Sequence, residues 1–349
     1  METGAVSAAS TWLAVAQQEL LERDDELQVI AQLVRGAEHG TGALVLVEAP
    51  AGLGKSALLD HAATRASDSG LLVLRARGHQ LERAFGWGIA RSLFEGLLRA
   101  GPHGPSGMLD GPAAPARAVL LDSAGAPGGT SSSDAAFAIL HALYWLVVRL
   151  AERRPLLLVI DDAHWADAPS LHFLAHLQPR IADLPLGVVV GARPADQDAD
   201  AVLGVLAADP QARLLRLRPL SREAVEKLVR ERWPVAHADV CRRCFELTAG
   251  NPLQLGELLR AAEARGGPPD VGGLGDAAAA AARSLERSVL NRLAAMPSPA
   301  CALAEAVAVF EDNVPLHVAA ALAQVDVAAD GAAIDELVRA DLLRTEKTM

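Results

Sequence analysis

Ala49-Pro50-Ala51-Gly52-Leu53-Gly54-Lys55-Ser56 follows the short apolar run Ala43–Val47 and leads into a helical pattern over Ser56–Ala66. A continuous apolar run of this length predicts a strand buried on both faces. A Gly-rich turn between such a strand and a helix, closing on Lys-Ser, is the Walker A pattern with Ala49 in place of its first Gly. Gly residues let backbone N–H groups turn inward around phosphates, and the helix N-terminus adds its dipole. The lysine reaches the β and γ oxygens and the hydroxyl ligates magnesium. The loop Ala49, Pro50, Ala51, Gly52, Leu53, Gly54, Lys55, Ser56 and Ala57 is therefore the expected cradle for ATP or ADP, with Ser56 on Mg2+. A Cβ at Ala49 is tolerable where φ is negative. Only three of the 32 basic residues are lysines (Lys55, Lys227, Lys347). A chain that otherwise uses Arg has kept a compact ammonium at this position.

Further apolar runs extend the pattern: Leu71–Leu74, Leu156–Ile160, Gly187–Val190 and the more alternating Leu214–Arg218. Helical spacing at Leu20–Arg35, Trp87–Leu98 and Ala135–Val148 separates them. Alternating strands and helices predict an α/β fold, a parallel sheet covered by helices on both faces. Leu156–Ile160 ends in Asp161-Asp162. A strand-end carboxylate holds the magnesium shell in phosphate-loop proteins, so Asp161 is the expected metal partner and Asp162 the group that orients or polarises the attacking water. Gly187–Val190 runs on to Arg193, which would emerge at the carboxyl edge of the sheet, where its guanidinium can sense a γ-phosphate.

The boundaries read as an N-terminal extension over 1–19, a nucleotide-binding domain over 20–220 and a helical lid domain over 221–296. A last segment covers 297–349. Gly101–Ser133, rich in Gly, Pro and Ser, reads as an exposed, flexible insertion, and Gly266–Gly275 as a linker. Ser221 is placed to cap the first helix of the lid.

The 349 residues carry a net charge of −11 and 51% apolar but only 3% aromatic residues. An acidic chain is a poor partner for a phosphate backbone, so no DNA-binding surface is expected within it. The N-terminus lacks a basic n-region, and no apolar run reaches the roughly 18 residues that span a bilayer. Ala135–Val148 reads as a buried helix. The three cysteines (Cys241, Cys244, Cys301) do not form a disulfide framework. A cytoplasmic protein with no membrane partner is expected. Cys241-Arg242-Arg243-Cys244 has metal or redox spacing but lies in a helical stretch where Cys packs as a small apolar residue. His164 and Trp165 follow the carboxylates, His164 either titrating near the site or packing, and Glu82 reads as an exposed helix-start carboxylate, with assistance to water activation as the alternative.

Leu20–Leu27, Glu48–Leu59, Gly78–Leu98, Asp161-Asp162-Ala163-His164-Trp165-Ala166-Asp167 and Gly250-Asn251-Pro252-Leu253 together resemble the STAND class of P-loop ATPases. The resemblance is to the ATPase module of large LuxR-type transcriptional regulators in particular. It implies that Arg23 lies against the adenine or ribose and that Pro252 packs on the base. It also implies that Ala300–Met349 is a winged-helix-like segment, stopping soon after Leu343 where a wing strand is expected. The implied function is a switch: closed with ADP, opened by an inducer and ATP, then self-assembling into a homo-oligomer, with slow hydrolysis. DNA is expected to be reached only through a helix-turn-helix domain absent from this chain, which reads as a fragment or a shortened relative. Two other readings stand beside this one. The first is a working P-loop enzyme such as a kinase or AAA-type remodeller; the second is a scaffold that holds ADP without hydrolysing ATP.

Overall fold

Strand runs that are apolar at every position can be buried only between two layers, and the computed structural model shows that arrangement. It describes residues 20–79, 83, 85–98, 107–121, 133–194, 201–265, 273–280, 290, 293–294, 296–309, 316–325 and 337. The extension over 1–19 lies outside them, as do Glu82, residues 266–272 of the linker and most of 326–349. The chain divides into two compact units, one formed by 15–49 and 54–217, the other by 50–53 with 218–349.

In the first unit five strands form one sheet: β1 (Ala43–Glu48), β2 (Leu72–Arg77), β3 (Leu156–Asp161), β4 (Leu186–Ala192) and β5 (Ala212–Arg216). Their order is β2-β3-β4-β1-β5 and every pairing is parallel. Helices α1 (Asp24–Glu38) and α2 (Lys55–Asp68) cover one face. They pack Ile30, Leu33, Leu58, Leu59 and Ala62 toward the odd-numbered Val45, Val47, Leu157, Val159 and Val189. The even-numbered side chains, among them Leu44, Leu46, Leu158, Ile160, Val188 and Val190, form the larger core. Above that core lie α3 (Gly88–Leu98), the four-residue α4 (Arg117–Leu120), α5 (Ser133–Arg153), α6 (Ala168–Leu177) and α7 (Ala201–Ala208).

Two expectations change. Residues 107–121 are not an exposed loop. A 3-10 turn at Gly111–Ala116 runs into α4, and Met108, Leu109, Ala113, Ala116, Val119 and Leu120 are buried in the core. The physical reason lies elsewhere in the chain: Arg149 on α5 donates to the carbonyls of Gly107 (2.9 Å), Met108 (3.1 Å) and Asp110 (2.9 Å). Those bonds add to the turn bonds within the segment, where the Gly107 and Asp110 carbonyls also accept from the Asp110 (3.3 Å) and Ala113 (3.2 Å) amides. The helix expected at Ala135–Val148 is also longer, and its Asp134–Arg153 portion is long and apolar enough to cross a membrane by length and composition. Ala142, Leu143, Leu146, Val147, Leu150 and Ala151 on it are buried in the core.

The second unit is helical in its described residues. Helices α8 (Arg222–Arg232), α9 (Ala238–Thr248) and α10 (Pro252–Glu263) are followed by α11 (Ser298–Ala308) and α12 (Leu316–Ala323). Ser221 Oγ accepts from the Ala224 N–H (3.1 Å), the cap its position predicts. Gly250, at φ 73°, lies so close to Leu220 that a Cβ would stand 2.1 Å from the Leu220 carbonyl oxygen. Cys241 and Cys244 are buried on α9, and burial pushes the Cys244 thiol up to about 12, so these thiols pack rather than react.

Candidate nucleotide site

Phosphate loops work by placing a lysine, a hydroxyl and a strand-end carboxylate within reach of one another. Here β1 ends at Glu48, and the chain crosses to α2 through Gly52 and Gly54, at φ 84° and 91°. Only glycine adopts those values without strain. A Cβ built on Gly54 would meet nothing within 4 Å, and α2 begins without a side-chain cap. An uncapped helix start after a glycine turn leaves amides suited to an anion.

Lys55 is 7% exposed, and its ammonium stands 3.4 Å from Asp162 Oδ1. The Ser56 hydroxyl donates to Asp161 Oδ2 at 2.7 Å. Asp161 is the last residue of β3, and its other oxygen accepts the Asp162 N–H at 2.8 Å. The hydroxyl and carboxylate proposed as metal ligands are thus in contact, although their residues are 105 apart in sequence. Asp162 sits in the left-handed region at φ 50° and ψ 42°, uncommon for a residue with a side chain. Its Oδ2 accepts from Arg77 Nε at 2.9 Å and Nη2 at 2.8 Å, Arg77 being the last residue of β2. Burial raises the Asp162 carboxyl, but Lys55 and then Arg77 outweigh it and hold the group below its usual carboxylate value.

Strand β4 lies between β1 and β3, with Gly191 opposite Val47 and directly after Val190, the partner of Ile160 on β3. A Cβ on Gly191 would meet Leu59 Cδ2 at 3.0 Å, Asp161 Oδ1 at 3.1 Å and Lys55 Cδ at 3.2 Å. The absent side chain is what lets Lys55 and Asp161 share this space. Gly191→Val is expected to cost about 1–3 kcal/mol of folding stability by overpacking and to weaken magnesium-dependent ATP binding. Denaturant unfolding and nucleotide titration check this; a variant unchanged in both contradicts it. Arg193 leaves the end of β4, and its charge reaches His164.

Arg23 immediately precedes α1, is 5% exposed and donates from Nη1 to the Glu22 carbonyl at 3.0 Å. Pro252 is the first residue of α10. Within the second unit the neighbouring Asn251 does more than its position in the motif suggested. Its Oδ1 caps α10 from the Leu253 (3.0 Å) and Gln254 (3.2 Å) amides, while Nδ2 donates to the Ala51 carbonyl at 3.1 Å. The Leu253 amide also reaches the Gly52 carbonyl at 3.2 Å. Pro50–Leu53 are thereby tied to the start of α10. Arg77, Gly191 and Asn251 were not foreseen from the sequence.

The donor set fits a magnesium-bound nucleoside triphosphate: a buried ammonium, a hydroxyl bonded to a carboxylate, and left-handed glycines opening a helix. Phosphate-loop ATPases are defined by this arrangement on this kind of sheet. A family model described as AAA ATPase domain matches residues 19–190, and this part of the chain is an AAA-type P-loop ATPase domain. An uncharacterized protein of Rhizobium meliloti is 30% identical over 271 residues, 69% of this chain; the chain spans 25% of that relative's length. Two solved structures share the fold. The Aeropyrum pernix ORC1 protein in complex with DNA is 18% identical with a TM-score of 0.53, covering 92% of this chain and 84% of that one. A Walker-type ATPase of Pyrococcus abyssi is 13% identical with a TM-score of 0.53, covering 92% and 90%.

Proposed function

We propose that this chain is an ATP- and magnesium-dependent regulatory switch that hydrolyses ATP slowly, of the kind found in LuxR-type transcriptional regulators. The observation that carries the reading is the Asp162 carboxylate held between Lys55 and Arg77. A carboxylate in two ion pairs is a weak base, and a lysine engaged by it must turn to the phosphates when nucleotide arrives. Binding and release of nucleotide would then redistribute charge at the ends of β2 and β3. In this reading Lys55 and the amides of Ala49–Ala57 hold the phosphates, Ser56 and Asp161 hold magnesium, Asp162 orients the attacking water, and Arg193 senses the γ-phosphate. Arg23 and Pro252 contact the adenosine moiety. Magnesium held by Ser56 and Asp161 would neutralise charge on the phosphates. The motifs Asp161–Asp167 and Gly250–Leu253 support the regulatory assignment. An inducer, activation by homo-oligomer formation, a winged-helix-like 297–349 and a cytoplasmic location belong to the same proposal.

Single-turnover hydrolysis tests it. Wild type is expected to turn over more slowly than about 1 per second, the lower end of ordinary enzyme rates. Asp162→Asn is expected to bind ATP as wild type does and to lose hydrolysis by ~100-fold, the least that a positioned base contributes. Arg77→Ala, which frees Asp162 Oδ2, is expected to speed it. Rapid wild-type turnover, or Asp162→Asn turning over normally, would overturn the switch in favour of a remodelling enzyme or another base.

A further inference from the structure

The turn that follows Asp162 holds a buried imidazole that the roles above leave unexplained. Residues Ala163–Trp165 form a 3-10 turn, entered through the left-handed Asp162. The turn is fixed from several sides. The Trp165 N–H donates to the Asp162 carbonyl (2.9 Å), the Ala166 N–H to the Ala163 carbonyl (3.0 Å), and the Gly78 N–H to the Asp161 carbonyl (2.9 Å). Gly78 lies so close that a Cβ would be 2.3 Å from the Asp162 carbonyl oxygen and 3.1 Å from Trp165 Cβ. In this fixed turn His164 is 4% exposed, and neither Nδ1 nor Nε2 has a hydrogen-bond partner among the described residues.

A buried imidazole with two unmet ring nitrogens is costly, and native structures leave few such groups without a reason. The ring is not placed in a purely apolar pocket. The charges that act on it are those of Arg193, Asp162, Lys55 and Arg83. Burial first and the Arg193 guanidinium second push its pKa down to about 3, so the imidazole is neutral at physiological pH. A neutral imidazole offers one N–H donor and one acceptor. Strain and unmet polar groups of this kind collect where a ligand completes the site.

We propose that His164 reads the terminal phosphate: its ring N–H donates to a γ-phosphate oxygen of bound nucleoside triphosphate, so the side chain separates the triphosphate from the diphosphate. The inference rests on the proposed Mg-nucleotide site and adds to it a residue that discriminates between the two nucleotide states. It needs no proton transfer, and His164 acts by binding alone. The competing role for a buried histidine beside a tryptophan is packing, the His164 and Trp165 rings lying 5.2 Å apart.

The test measures equilibrium affinities of the full chain for magnesium complexes of a non-hydrolysable ATP analogue and of ADP, by titration calorimetry. The variants are His164→Phe, which keeps a flat ring without nitrogen, and His164→Gln, whose amide keeps a donor; His164→Leu is a second apolar variant should the Phe form fail to fold. The apolar variant is expected to lose ~10-fold in affinity for the triphosphate analogue, the effect of one hydrogen bond to a charged group, with ADP affinity unchanged. His164→Gln is expected to recover most of that loss. An unchanged ratio of the two affinities, or an equal loss for both nucleotides, overturns the inference and leaves packing as the role of His164. Failure of the wild-type chain to bind either nucleotide removes the nucleotide site itself, a result distinct from a wild type that binds both and variants that do not discriminate.

Discussion

Lys55→Ala is expected to weaken Mg-ATP binding by at least ~100-fold. The side chain is almost fully buried, yet it carries a charge whose nearest carboxylate is 3.4 Å away on Asp162. It is also the first residue of α2, directly after the left-handed Gly54, so its backbone belongs to the turn proposed to present amides to the phosphates. A charge-assisted hydrogen bond contributes about 1.5–3 kcal/mol, and 1.4 kcal/mol is tenfold in affinity. One strong contact and part of a second account for the figure. Lys55→Arg is not a mild change here: a planar fork does not replace a compact ammonium that must turn between Asp162 and a phosphate. Titration calorimetry with ATP and magnesium measures the loss, and an alanine variant within about threefold of wild type would mean that the lysine does not meet the phosphates.

The second large effect is structural. Asp167 is 2% exposed and takes three backbone amides: Trp87 at 2.6 Å and Ser170 at 2.9 Å on Oδ1, and Ile89 at 3.2 Å on Oδ2. It caps α6 and at the same time pins the start of α3, a segment that enters through Trp87 at φ 70°. Ser170 continues the link by accepting the Ala90 N–H at 3.2 Å. Asp167→Ala leaves these buried donors unmet, and each such group costs about 1–3 kcal/mol. A total of about 3–5 kcal/mol is a large part of the 5–15 kcal/mol that ordinarily separates folded from unfolded chains. Thermal unfolding is expected to fall by roughly 10 °C, with Asp167→Asn, which retains one acceptor oxygen, falling less. A shift within about 2 °C would show that water or a rearranged loop replaces the carboxylate.

The sheet was legible because its central strands carry the signal in every residue. Ala43–Val47, Leu156–Ile160 and Gly187–Val190 are apolar throughout, and the structure extends each by one to three residues. The apolar run of β2 ends at Leu74 while the strand continues to Arg77, because Arg75 and Arg77 alternate with Leu74 and Ala76 and look like a departure from a buried strand. That departure hid Arg77. Its place beside Asp162 follows from the pairing of Arg77 with Asp161 across β2 and β3, a register no local pattern specifies. The 107–121 segment departs from the expected loop for a related reason, since the guanidinium that reaches its carbonyls comes from α5, 39 to 42 residues further on. Ser56 and Asp161 are expected on one Mg2+ from the motifs, and the structure has the Ser56 hydroxyl on the Asp161 carboxylate; the Lys55–Asp162 ion pair is not an expectation of the motifs. Asn251 stands in the Gly250–Leu253 motif, whose resemblance assigns a role to Pro252 alone. Its double use, capping α10 while holding the Ala51 carbonyl, depends on a contact between residues 200 apart in sequence.

The measurement closest to the central claim is equilibrium binding of ATP to the full chain with and without magnesium, run beside Asp161→Asn and Ser56→Ala. The structure predicts saturable binding of one nucleotide per chain, strengthened by magnesium in wild type and largely insensitive to the metal in both variants. No binding, or binding that magnesium leaves unchanged in the wild-type chain, would contradict a shared metal-nucleotide site at Lys55, Ser56 and Asp161.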